Sequence, residues 1–235
     1  MLRGEEGKAM VKRIFPLAIV LYLMLFVTGC KQVMLDPEVD LLQMGTVALL
    51  EFDNLTSDLG IAREATVLLA DELSKIEGLA LLRPVLGDNR YSSRAAQEGR
   101  IQKIATDLGA DTLLSGAVTY YFEDVYLEPP KRVLIDKNKE LYKWQARQES
   151  SVEVVLSMQL LSKNGKVLYS RQETGKASRL KNIDLPWPED SEYLPPFTIL
   201  PSADRRQLPA LRQEALRNAI KKLASSYLPH YTFTW

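Results

Sequence analysis

Three groups of residues in this 235-residue chain have types and spacings suited to chemistry or recognition. The first is Cys30, the only cysteine, which directly follows Phe26-Val27-Thr28-Gly29. Upstream lie Lys12 and Arg13 and then an apolar run from Ile14 to Val27, so the thiol closes the basic, apolar and small-residue order of a secretory signal. That run is about fourteen residues, below the ~18 of a spanning helix, which favours a cleaved signal over a permanent anchor. The second group is Asp53, Asn54, Thr56 and Asp58, clustered after an apolar run where open α/β sheets place ligands; ordinary turn chemistry is the alternative. The third is aromatic. Trp187 lies between Pro186 and Pro188, Tyr193 follows, and Phe197 stands after Pro195-Pro196, a setting that suits interface anchors or a flap folded back over the sheet. Tyr231, Phe233 and Trp235 alternate at strand spacing, ready to pair with a sheet edge of their own domain or of a neighbouring subunit.

Catalytic sets are not legible. The one histidine, His230, stands after Pro229 in the tail, with no serine in a nucleophile-elbow setting and no second cysteine. Neither a phosphate-cradling glycine loop, a paired-cysteine metal motif nor a His-Glu-x-x-His element occurs, so no enzyme, cofactor or metal is expected. Thirty basic and thirty acidic residues balance, which gives no electrostatic reason to expect nucleic acid. With a single cysteine no internal disulfide forms, and packing alone must stabilise the fold.

The elements that position these groups follow from periodicity. Thr46 to Phe52 is a nearly continuous apolar run closed by Asp53-Asn54, the pattern of a strand buried on both faces. Ala65, Leu68, Leu69, Leu73 and Ile76 recur at helical spacing up to Gly78; a short strand is expected at Leu79 to Leu82, a second helix from about Arg94 to Leu108, and a third strand from Asp111 to Tyr121. Val152, Val154, Leu156, Met158 and Leu160 alternate, and Asn164-Gly165 turns that strand into Lys166 to Arg171. A last helix runs from about Leu208 to Tyr227. Phe122 to Arg147, which is charged and holds Pro129-Pro130, and the proline-rich Leu180 to Pro209 read as two long irregular insertions. The fold class is therefore α/β: a mixed β-sheet with helices packed on it in the order β-α-β-α-β-β-β-α. Removing residues 1–29 as a signal peptide and 30–44 as a tether without sustained period leaves 45–235 as one domain; the tether reaches at most about 50 Å.

Val27-Thr28-Gly29-Cys30 resembles the lipobox of a bacterial lipoprotein signal, with Val27 where leucine is commonest. The resemblance implies that Cys30 is acylated and becomes the first residue. Lys31, which is no retention signal, then implies sorting to the outer membrane, with the domain facing the periplasm. Met10 is an alternative start to Met1, because Val11-Lys12-Arg13 then supplies a compact basic segment.

Thr46-Val-Ala-Leu-Leu-Glu-Phe-Asp-Asn-Leu55, followed by a helix, and Ala105-Thr-Asp-Leu-Gly-Ala-Asp-Thr-Leu-Leu-Ser-Gly-Ala-Val-Thr119 resemble two signatures of the curli-secretion (CsgG-like, TolB N-terminal-like) lipoprotein superfamily. That group includes Pel polysaccharide-export and penicillin-binding-protein activator lipoproteins. The resemblance implies a non-enzymatic lipoprotein, ring-forming in some relatives, that works in an envelope secretion or export complex by docking on envelope proteins or by self-association. The alternative is a regulator that activates a peptidoglycan synthase, although such relatives usually carry a longer linker than this tether. Curli-type relatives insert barrel hairpins. Here Asp136, Lys137, Asn138, Lys139, Glu140 and Lys143 make a poor lipid-facing strand, so no transmembrane barrel is expected.

Overall fold

A computed structural model describes residues 31–83, 85–138, 141–189, 191 and 193–234. It begins with a strand, β1 (Lys31–Leu35), inside the stretch expected to lack regular structure. The same stretch then makes a single-turn 3-10 helix at Leu41–Met44, which Asp40 caps by accepting from the Leu42 N–H at 3.0 Å, and Leu41 is buried. A local cap and one well-placed leucine order a segment too short to show a period.

The unit spanning Glu38–Tyr227 holds the main sheet. Its first strand, β2 (Val47–Leu49), is buried throughout, as the unbroken apolar run requires, and β3 (Asp53–Asn54) follows after one irregular turn. Helix α1 (Ile61–Leu73) buries Ile61, Ala65, Leu69 and Leu73 and leads to the short β4 (Leu81–Leu82). A helical run from Ser93 to Arg100, broken at Gly99 where φ is +83°, continues into α2 (Ile101–Leu108), which Gly109 ends in the left-handed region. Three long strands come next, β5 (Thr112–Leu127), then β6 (Lys131–Asp136) as a short one, β7 (Leu141–Ser162) and β8 (Val167–Asp184), before α3 (Leu208–Ala224).

These strands form one open, mixed, seven-stranded sheet. β2 runs parallel to β4 on one side and to β5 on the other, while β7 is antiparallel to β5, β6 and β8. Ala48, Leu50 and Leu113 pack with Ala95, Ala96, Ile104 and Ala105 on one face. Strand alternation turns Val47 and Leu49 to the other, the side on which α1 meets α3 and α3 lies along β7 and β8. The α/β class and the order of elements are those expected from periodicity.

The two insertions are not as expected. Phe122 to Arg147 is strand almost throughout: β5 runs on to Leu127, β6 pairs with the start of β7, and Pro129-Pro130 fall in the break between β5 and β6, where no ladder donor is lost. Asp124, Lys131, Arg132 and Arg147 sit on exposed positions of a ribbon rather than in a loop. β8 likewise continues past Leu180 to Asp184, paired with β7 as far as Gln145. The remaining proline-rich part is tied down by Leu185, Trp187 and Leu200 packing against Trp144 and Ala146, and Asp204 N–H donates to Gln148 Oε1 at 2.7 Å.

The other unit comprises the described residues up to Pro37 and from Leu228 onward. In it β9 (His230–Thr234) pairs antiparallel with β1, from Lys31 opposite Thr234 to Leu35 opposite His230. The aromatic tail therefore finds its edge in the segment that precedes the domain.

Candidate functional site

The polar cluster after β2 is held mostly by its own hydrogen bonds. Asn54 Oδ1 accepts from the Thr56 N–H at 3.0 Å and the Thr56 hydroxyl at 2.8 Å, and Asn54 Nδ2 donates to the Asp58 carbonyl at 2.5 Å. Asp58 Oδ1 accepts from Gly60 and Ile61 N–H at 3.0 and 3.1 Å, which satisfies the first donors of α1 in the manner of an N-cap. Its other oxygen takes Arg212 Nη1 at 2.6 Å, and the same guanidinium bonds Glu64, so Asp58 and Arg212 fasten the loop and α1 to α3. Asp53 is bonded differently. Its carboxylate accepts from the Asn54 N–H at 2.9 Å and meets Arg94 at 3.4 Å at the edge of an open cleft of about 680 Å³. Among the described residues no three His, Cys, Asp or Glu side chains are placed to hold a metal ion.

Next to this loop, Tyr121 donates to Glu123 at 2.8 Å, and Arg205 reaches the same carboxylate at 3.5 Å. Burial, then the bond to Glu123, push the Tyr121 hydroxyl above its ordinary range.

The aromatic candidates separate cleanly. Trp187 is half-buried against Leu185 and Trp144, and its indole N–H donates to the Tyr193 carbonyl at 3.1 Å; it covers its own domain. Tyr193 and Phe197 are 81 % and 91 % exposed, with Leu194 between them also exposed. Tyr231 and Phe233 lie in β9 opposite Met34 and Gln32, whereas Cys30 and Trp235 lie outside the described residues.

A further group escaped the sequence analysis. Tyr120, Phe122 and Tyr126 stand on one face of β5, about half exposed, with the first two rings stacked at 6.4 Å. Their period of two was visible, but ending the strand at Tyr121 cut the pattern off. On this stretch β5 is an edge: its parallel partners stop at Val118, and among the described residues no strand pairs with Tyr120 to Leu127 on the side away from β7. Opposite these aromatics β7 presents Val155, Glu153 and Glu149, and beyond them β8 presents Thr174, Lys176 and Leu180.

No protein-family model matches the chain, and no curated protein matches it. Among solved structures it is similar to lipoprotein GNA1162 from Neisseria meningitidis, at 17% identity over 57% of this chain and 83% of that one, with a TM-score of 0.38. It is also similar to a PelC dodecamer from Paraburkholderia phytofirmans (15% identity, 84% and 99% of the two chains, TM-score 0.42) and to a minor lipoprotein from Acinetobacter baumannii (13%, 80% and 96%, TM-score 0.32). Likeness at this level assigns neither an activity nor a partner. Among the described residues no helix is long and apolar enough to cross a membrane.

Proposed function

We propose that this chain is a non-enzymatic outer-membrane lipoprotein, anchored through Cys30 and facing the periplasm, that assembles or docks in an envelope secretion or polysaccharide-export complex. The observation that carries the reading is the row Tyr120, Phe122 and Tyr126 on a strand whose outer edge is unpaired. An open edge offers backbone donors and acceptors to an incoming strand, and aromatics beside it supply desolvated anchors. Glu149, Glu153 and Lys176 share that face, so it suits protein rather than lipid, in which a mid-bilayer lysine costs about 2–4 kcal/mol. The lipobox-like Val27-Thr28-Gly29-Cys30 supplies the anchor, and Tyr193, Leu194 and Phe197 offer a second contact.

The test uses the full-length protein purified in detergent. The parent is expected above monomer mass, alone or with envelope proteins, and Phe122→Asp is expected to return it to a monomer that melts at the parent temperature, as loss of about 2 kcal/mol or more per hot-spot aromatic implies. An assembly that Phe122→Asp leaves intact refutes this interface. Cys30→Ala is expected to abolish incorporation of a fatty-acid analogue; equal label in mutant and parent refutes the anchor.

A further inference from the structure

The sheet has a crossover point that neither the lipid anchor nor the aromatic face uses. β2 is the strand from which the chain leaves through α1 to β4 on one side, and β4 returns through the Ser93–Leu108 helical run to β5 on the other. In open α/β sheets the two connections diverge at such a point and leave a crevice beyond the carboxyl ends of the strands. The cleft of about 680 Å³ lies there, lined by Glu51 to Asn54, the start of α1 and the segment from Gly87 to Arg100. Its size falls within the ~300–1,000 Å³ of small-molecule sites.

Arg63, Arg94 and Arg100 are among the residues that line this cleft, with the acidic Glu51 and Asp53. Both carboxylates are already committed: Glu51 accepts from the Gly87 N–H at 2.6 Å, and Asp53 from the Asn54 N–H and Arg94. Arg63 has no hydrogen-bond acceptor or anionic partner among the described residues, although its guanidinium reaches over Gly87, where an added β-carbon would stand 3.6 Å from Nη2. Gly87 has φ +81°, so no side chain is expected there to fill the space. The backbone N–H groups of Ala62 and Arg63, in the first turn of α1 beyond the two donors that Asp58 caps, also lack acceptors among the described residues and border the same space.

We infer that this cleft binds a small anionic molecule through a carboxylate or phosphate group held by Arg63, with Arg94 beside it. Guanidinium matches either oxyanion through parallel N–H donors, and an arginine with no protein partner in a concave polar site has its fork available for one. The inference is independent of the anchor and of assembly.

Titration calorimetry on the full-length protein in detergent, with inorganic phosphate, D-glucuronate and D-glucose as separate probes, tests it. Saturable binding of phosphate or glucuronate is expected, weakening as salt rises, while glucose gives no heat. Phosphate alone would identify a phosphoryl ligand, and glucuronate alone a carboxylate. Arg63→Gln is expected to weaken the binding about tenfold or more without changing the melting temperature, while Lys166→Gln, at a residue that does not line the cleft, binds as the parent does. Absence of saturable binding by either anion up to about 10 mM overturns the inference, as does parental affinity in Arg63→Gln.

Discussion

Replacing Gly175 by alanine probes the packing of α3 on the sheet. Gly175 is buried in β8 opposite Val154, and α3 crosses directly above it. A β-carbon there would lie 1.9 Å from the Ala215 carbonyl oxygen, 2.6 Å from the Ala219 nitrogen and 2.9 Å from the Ala219 β-carbon. Restoring even a 3.0 Å approach to the Ala215 oxygen requires a shift of 1.1 Å (3.0 − 1.9), and the atoms to be moved are helix backbone rather than a flexible side chain. The same helix buries Leu211, Leu216 and Leu223 completely, so it has nowhere to move without opening those contacts. Displacement also stretches the bonds from Asn218 to the Lys176 carbonyl (3.0 Å) and from Lys222 to the Thr174 carbonyl (2.7 Å). Overpacking costs about 1–3 kcal/mol and each weakened bond adds up to about 1, so Gly175→Ala is expected to destabilise by about 3 kcal/mol. In a domain of this size that lowers the melting temperature by roughly 6–12 °C, measured by far-ultraviolet circular dichroism. An unchanged or raised melting temperature refutes the reasoning, because alanine would then act only by restricting the unfolded chain.

Two further perturbations separate structural from surface roles. Tyr227 is buried, its hydroxyl has no partner among the described residues, and its ring meets Tyr169 edge-on at 6.0 Å; Tyr227→Phe keeps the ring and is expected to stabilise by about 1 kcal/mol in a thermal melt. Burial holds the Tyr227 hydroxyl above its ordinary value, so it makes stability independent of pH below about pH 10 and makes the fold lose stability as the unfolded chain ionises above that; the variant is expected to flatten the alkaline limb of the stability profile, and a limb identical to the parent's refutes this. Trp187→Ala is expected to cost about 2 kcal/mol by uncovering Trp144 and Leu185, whereas Phe197→Ala leaves the melting temperature unchanged; equal effects on melting would contradict the separation of the two aromatics.

Residue types and spacing sufficed wherever the signal was local. The unbroken run at Val47–Leu49, the end of the second helix at Leu108 and the Asn164-Gly165 turn, where Gly165 has φ +85°, all read correctly because each states its own backbone requirement. Gly116 is a case in between. A glycine inside a strand suits a close approach, but only the fold shows that the Phe52 ring makes it, within 2.8 Å of any added β-carbon. The ribbon was lost because Phe122 to Arg147 mixes charges with alternating apolar residues. A strand exposed on one face carries half its pattern in polar residues, and two prolines in the break disguised its continuity.

What the sequence determined alone was the α/β class and the order of its main elements. These depend on composition and on neighbours within a few turns of chain. Tertiary structure decided everything that depends on which distant segments meet. It bound Asp58 to Arg212, 154 positions away, and so turned three of the four loop residues into structure. It placed Trp187 against the sheet but left Phe197 in solvent, and it gathered Arg63, Arg94 and Arg100 around one cleft from two different crossovers. Burial and charge partnership are properties of the packed chain, and no local pattern encodes which arginine will be left without a carboxylate.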